Sequence, residues 1–60
     1  MNPQILHIIY LLCSGAQACQ DNYINCIQEE RTTAIRFDEI KDEDAYLVRC
    51  IRQIQGGGYL

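Results

Sequence analysis

Hydrophobic and polar positions divide the chain into an uncharged beginning and a mixed remainder. No charged side chain precedes Asp21, and an apolar run at residues 5–12 is followed by the small residues Ala16 and Ala18. This order is typical of a secretory signal peptide, so the sequence predicts one at residues 1–18, with cleavage after Ala16 or Ala18. The alternative is an ordinary buried first helix of a cytosolic protein. The run is shorter than the roughly 20 apolar residues that span a membrane.

Residues 19–60 show helical periodicity and no strand pattern. They predict a first helix at about residues 18–30, a second at about 34–41, and a third that Asp42 or Asp44 caps. The expected fold class is all-α, with a signal helix followed by two or three short helices tied by one disulfide. Residues 19–60 would then be a small helical domain or the N-terminal fragment of a larger helical domain.

The third predicted helix has the clearest pattern. Its apolar side chains recur at spacings of three and four residues, at Leu47, Cys50, Ile51 and Ile54, which places them on one helix face. Acidic residues precede them and two arginines lie towards the end, an order that the helix dipole favours. We expect Gly56 to end this helix in the left-handed conformation that glycine adopts easily.

Four cysteines limit the possible pairings. Removal of the signal peptide takes Cys13 away and leaves an odd number, which suggests a disulfide-linked dimer. Within one helix, Cys19 and Cys26 lie about 10 Å apart along the axis, which is too far for a disulfide. A single bridge is therefore expected to run to Cys50 from Cys26 or, alternatively, from Cys19, and to join the first predicted helix to the third.

Charge and composition argue against several classes of function. The formal net charge is −3 and there is no basic patch, so nucleic acid is not an expected partner. The only histidine, His7, lies in the predicted signal peptide. The remaining chain therefore lacks a histidine base for a thiol nucleophile and a close set of Cys and His ligands for zinc. We expect no enzymatic activity, no metal, no cofactor, and no membrane association after signal removal.

Residues 42–56 combine an acidic start with Tyr46, Cys50 and Gly56. This combination resembles the third-helix region of insect odorant-binding proteins. Cys50 matches the second of two cysteines in that region, and Tyr46 stands where the first is expected, as in the minus-C members of the family. The resemblance implies a secreted, extracellular carrier whose first-helix cysteine pairs with Cys50. Members of the family are longer, so it also implies that this chain is the N-terminal part of such a protein.

Two functional hypotheses follow. In the first, the protein carries a small hydrophobic molecule of the odorant or pheromone type. The ligand-lining candidates are Phe37, Ile40, Leu47, Ile51 and Ile54, and the alternative for the same side chains is a plain core. In the second, the chain is a complete short secreted peptide, held by its disulfide, that acts on a receptor or a host protein.

Overall fold

The structure is a computed structural model that describes residues 1–56. These residues form three α-helices. They are α1 (Pro3–Leu12), α2 (Gln17–Arg36) and α3 (Glu43–Gln55). No strand is present in the described residues, and the predicted all-α class is confirmed. The last residues of the predicted 19–60 domain, from Gly57 onward, lie outside the described part.

α1 begins at a capping side chain and a proline. Asn2 Oδ1 accepts hydrogen bonds from two backbone N–H groups of the first turn, at 2.8 and 3.1 Å. Pro3 occupies the first helical position, where no N–H is needed. One side of the helix buries Ile5 and Ile9 completely. Removal of residues 1–18 as a signal peptide stays a prediction, and it would take these two core side chains away.

A left-handed turn ends α1. Ser14 and Gly15 have φ angles of 51° and 80°, and the Gly15 N–H donates to the Tyr10 carbonyl at 3.0 Å, as in a Schellman helix end. An L-residue in place of Gly15 would be strained at a φ angle of 80°. A disulfide between Cys13 and Cys19, whose Cα atoms are 5.5 Å apart, closes the turn onto the start of α2. We call it the turn disulfide.

α2 is one continuous helix, and the predicted break after residue 30 is wrong. The Thr32 hydroxyl donates to the carbonyl of Gln28 at 2.9 Å. It therefore bonds back to its own helix and does not cap a new one. Arg31 reaches from α2 to Glu43 at the start of α3, with 2.8 Å between Nη2 and Oε1. The predicted helix at residues 34–41 is thus the end of α2 followed by the connection to α3.

Asp38 provides the end of α2 that the sequence analysis missed. Its φ angle is 56°, and the next residue, Glu39, donates its N–H to the Ala34 carbonyl at 2.7 Å. This is a second Schellman helix end, with aspartate in the left-handed position that glycine usually occupies. Phe37 and Ile40 consequently lie in or beside a turn, where the sequence analysis placed them on a helix.

α3 has nearly the predicted bounds, but its caps differ from those expected. Asp42 is the N-cap residue by its backbone conformation, yet its side chain makes no capping hydrogen bond, and Asp44 lies inside the first turn. Gly56 follows the last helical residue with a φ angle of −83°. The predicted left-handed cap is therefore wrong. The Gly56 N–H donates to the Arg52 carbonyl at 2.9 Å, which continues the right-handed pattern.

All three helices contribute to a single core. α2 and α3 form the main pair, and α1 packs against both. Ile51 and Ile54 are partly buried against this core, so the predicted apolar face of α3 does point inward. Tyr46 is buried as well. The buried side chains of the described residues are Ile5, Ile9, Cys13, Tyr23, Cys26, Ile27, Tyr46, Leu47 and Cys50.

A second disulfide crosses the core between α2 and α3. It joins Cys26 to Cys50, with their Cα atoms 5.9 Å apart, and we call it the interhelix disulfide. Cys19 is not the partner of Cys50, because it pairs with Cys13. The expectation of one disulfide is therefore wrong, and all four cysteines are paired. The odd cysteine on which the predicted covalent dimer rested is absent from this structure.

Candidate interaction groove

The structure disperses the five predicted ligand-lining residues. Phe37 and Ile40 are 67% and 72% exposed, Leu47 is buried in the core, and Ile51 and Ile54 are partly buried against it. Ile54 also borders a cavity of about 250 Å³. Only Phe37 borders the larger groove of about 690 Å³. These residues do not converge on one enclosed pocket in the described part of the chain.

The larger groove runs between the second half of α2, the connection at residues 37–42, and α3. Its apolar lining consists of two small residues, Ala34 and Ala45, and two larger exposed ones, Phe37 and Val48. Because the small residues leave room between the larger ones, the apolar surface is shallow and open. Such a surface suits an occupant that lies along it, whereas drug-sized ligands are mostly surrounded by their pockets.

Positive charge is concentrated in this groove. Three of the five basic residues of the chain line it, whereas only two of the eight acidic residues do so. The lining therefore carries a formal charge of 3 − 2 = +1, against −3 for the whole chain. The charged lining residues are Lys41, Arg49, Arg52, Glu30 and Glu39.

Polar contacts hold the walls of the groove in place. Glu30 on α2 accepts a hydrogen bond from Gln53 Nε2 at 2.9 Å and pairs with Arg49 Nε at 3.4 Å, both on α3. The Tyr46 hydroxyl accepts the Lys41 backbone N–H at 2.9 Å, which fixes the connection against α3. These contacts engage Glu30 and Arg49. In residues 1–56 the side chains of Arg52 and Lys41 form no hydrogen bond or ion pair.

A second apolar surface lies on the outer side of α1. Leu6, Tyr10 and Leu11 are exposed there, and α1 contains no charged side chain. Exposed apolar side chains are common singly, but a group of them on so small a protein is a feature of interaction surfaces. Unlike the groove, this surface offers no charge that would select one partner over another.

Free thiols and clusters of metal ligands are both absent from residues 1–56. The cysteines are all held in disulfides, so the oxidised protein has no thiol nucleophile. Residues 1–56 contain no cluster of three His, Cys, Asp or Glu side chains that is arranged to hold a metal ion. None of the three helices has the length and apolar character needed to cross a membrane.

Comparisons with known proteins add no family to this picture. No protein-family model matches the chain, and no curated protein or solved structure matches it either. The resemblance of residues 42–56 to odorant-binding proteins therefore stays a prediction that rests on the residues alone.

Sequence reasoning missed the groove, although part of its signal is in α3. Ala45, Val48, Arg49 and Arg52 recur at spacings of three and four residues, on the face away from Leu47 and its apolar neighbours. The two arginines were attributed only to the helix dipole. The contribution of α2 was hidden by the incorrect break after residue 30.

Proposed function

We propose that this protein is exported to an oxidising compartment and acts there by binding another protein. The observation that carries the proposal is the pair of disulfides, which closes the α1–α2 turn and joins α2 to α3. Cytosolic proteins are kept in the thiol form by glutathione and thioredoxin, whereas secreted domains of this size rely on disulfides to compensate for a small core. Cys13, Cys26 and Cys50 are themselves part of that core.

Binding is favoured over catalysis by what the surface offers. Apolar side chains stay exposed along the groove and on α1. The proposal is thus closest to the second sequence hypothesis, a small secreted protein that acts on a receptor or a host protein. We expect no enzymatic activity, as the sequence analysis also expects.

Export and oxidation are tested by producing residues 1–60 in a eukaryotic secretory host. We expect the medium to contain monomer whose intact mass rises on reduction by four hydrogens, and whose peptides link Cys13 to Cys19 and Cys26 to Cys50. A product that begins at Gln17 or Cys19 and carries no attached α1 would support the signal-peptide prediction. Cleavage would then have come before oxidation, and the product would lack the turn disulfide because Cys13 had been removed. Protein that stays in the cell, or that is secreted with all its thiols free, would overturn the proposal.

Binding is tested with the same oxidised material. Immobilised oxidised protein should enrich clones from a displayed library of helical peptides well above protein that has been reduced and alkylated, because only the oxidised form presents the folded surface. Equal enrichment by the two forms would show that the captured peptides do not recognise the fold.

A second candidate is the carrier of small hydrophobic molecules. It is favoured by one observation, the groove volume of about 690 Å³, which lies within the range of ligand pockets. The probe for this function is N-phenyl-1-naphthylamine, which fluoresces when it enters an apolar site. Saturable binding that Val48→Ser weakens would support the carrier function. A linear, unsaturable signal would contradict it.

A further inference from the structure

We propose that the groove between α2 and α3 is a docking site for an acidic amphipathic helix of a partner protein. This inference rests on the proposed function and adds the place and the chemistry of the contact. Helices that bind in grooves do so with apolar side chains at spacings of three and four residues. The second half of α2 and α3 both line the groove, so a helical segment bound there would contact both helices.

Charge complementarity identifies the acidic character of the occupant. Outside the groove the chain carries 8 − 2 = 6 acidic and 5 − 3 = 2 basic residues, so that surface repels an acidic segment. Inside the groove, the side chains of Arg52, Lys41 and Glu39 have no partner among residues 1–56, so the unpaired charges there sum to 2 − 1 = +1. Arg52 lies in the last turn of α3 and Lys41 precedes its first turn, so the two cations lie towards opposite ends of that helix. A partner helix with carboxylates at two separated positions would meet each of them. Arginine also offers a forked donor pair that matches a carboxylate.

The apolar contacts set the second requirement. Phe37 and Val48 remain exposed, and Ala34 and Ala45 leave space beside them. A leucine or phenylalanine of the partner helix fits this relief, and its neighbours in the next turn then lie beside Arg52, which is one helical turn from Val48. A basic segment would be repelled by the net positive charge of the groove, and a fully polar segment would leave its apolar side chains uncovered.

The same features disfavour a second copy of this chain as the occupant. A symmetric pair formed through this surface would place the same patch of both molecules face to face. Both faces would then carry the same net positive charge, so the unpaired Arg52 and Lys41 of one molecule would meet no net negative surface on the other. A neutral apolar occupant would leave the same two cations unpaired.

The test is a selection followed by affinity measurements. The oxidised full-length protein selects from a displayed library of helical peptides in which each position is drawn from apolar, acidic, basic and neutral polar residues. We expect enrichment of peptides with Leu or Phe at spacings of three and four residues and a net negative charge. Absence of enrichment, or enrichment of basic or neutral peptides, would overturn the inference.

Matched variants locate the site. Arg52→Gln and Arg36→Gln each remove one arginine from the last turn of a helix, but only Arg52 lines the groove. We expect the Arg52 change to weaken binding of the selected peptide by about three- to tenfold and the Arg36 change by less than about twofold. Val48→Ser should weaken it by about tenfold, and Leu11→Ser on α1 should leave it unchanged. Equal losses of peptide affinity in the two arginine variants would refute the groove as the binding site.

Two further outcomes separate this inference from the function on which it rests. Peptides that bind Leu11→Ser more weakly but bind Val48→Ser normally would place the contact on α1. The protein would then still be a binding protein, but the assignment of the binding site to the groove would be wrong. A concentration-dependent dimer of the free protein that Arg52→Gln alters would make the occupant a second copy. No selective enrichment by correctly oxidised protein would count against both proposals.

Discussion

Truncation of Ile9 tests whether α1 belongs to the folded body. Ile9 is 0% exposed, whereas Leu6 on the same helix is 42% exposed. Ile→Ala substitutions in cores cost about 2–5 kcal/mol, because they lose transfer free energy and leave a cavity. Exposed positions usually change stability by no more than about 0.5 kcal/mol. We therefore expect Ile9→Ala to lower the free energy of unfolding by at least about 1.5 kcal/mol more than Leu6→Ala does.

The size of the effect matters for the design, because small proteins have little stability to lose. At about 0.05–0.15 kcal/mol per residue, a chain of 60 residues has roughly 3–9 kcal/mol in total. Ile9→Ala alone is therefore able to unfold it. Ile9→Val, at about 0.5–1.5 kcal/mol, keeps the protein folded and the loss measurable.

The assay is urea unfolding of the oxidised full-length protein, followed by circular dichroism at 222 nm. The expected order of stability is Leu6→Ala, then Ile9→Val, then Ile9→Ala. Both disulfides remain intact in every variant, so the comparison isolates the packing of one side chain. If the midpoints of Ile9→Ala and Leu6→Ala coincide, α1 does not pack against the other helices in solution, and the reasoning about the core is refuted.

Three further predictions concern the links between the helices. Replacing both cysteines of the interhelix disulfide by serine should destabilise the protein more than the same change in the turn disulfide. In the chain-entropy model the interhelix loop of 24 residues corresponds to about 3.5 kcal/mol and the turn loop of 6 residues to about 2 kcal/mol. The opposite order of urea midpoints would contradict this. Asp38→Gly should raise stability by about 0.5–1 kcal/mol, because it relieves a left-handed residue and removes a negative charge from a helix C-terminus. Asp38→Ala, which keeps the unfavourable φ angle, should not be stabilising, and a gain equal to that of glycine would show that charge alone is responsible. Tyr46→Phe removes the acceptor of the Lys41 N–H and should cost about 1 kcal/mol, seen as a lower melting temperature. The exposed Tyr10→Phe serves as its control, and an equal shift in both would show that the hydroxyl of Tyr46 contributes nothing.

Sequence patterns predict a helix of this chain correctly only where its apolar spacing and its end signals agree. α3 was predicted almost to the residue, because its apolar spacing and acidic start agree with each other. α2 was divided in error, because its polar stretch around Thr32 resembles a cap and its real end carries no glycine. The left-handed residue there is Asp38. Aspartate can adopt that conformation, but its presence in a sequence does not predict it as glycine does.

The cysteine pairing shows a different limit. Distances within a helix exclude a bond between Cys19 and Cys26, and this reasoning holds in the structure, where both lie in α2. The partner of Cys19 was missed, because Cys13 was assigned to a segment that is removed. The groove was missed for a third reason: its cations come from α3 and the preceding connection, and they meet the residues of α2 only when tertiary packing brings the elements together.

The turn disulfide has a consequence for proteolysis. Both predicted processing bonds, after Ala16 and after Ala18, lie between Cys13 and Cys19, which that disulfide joins. A peptidase that cut the folded protein there would produce a two-chain molecule in which α1 is still attached. Its electrophoretic mobility would change only after a reducing agent is added. Reduction of the turn disulfide, and not the peptidase, would then determine when α1 leaves. The faces of α2 and α3 that α1 covers would become exposed at that moment.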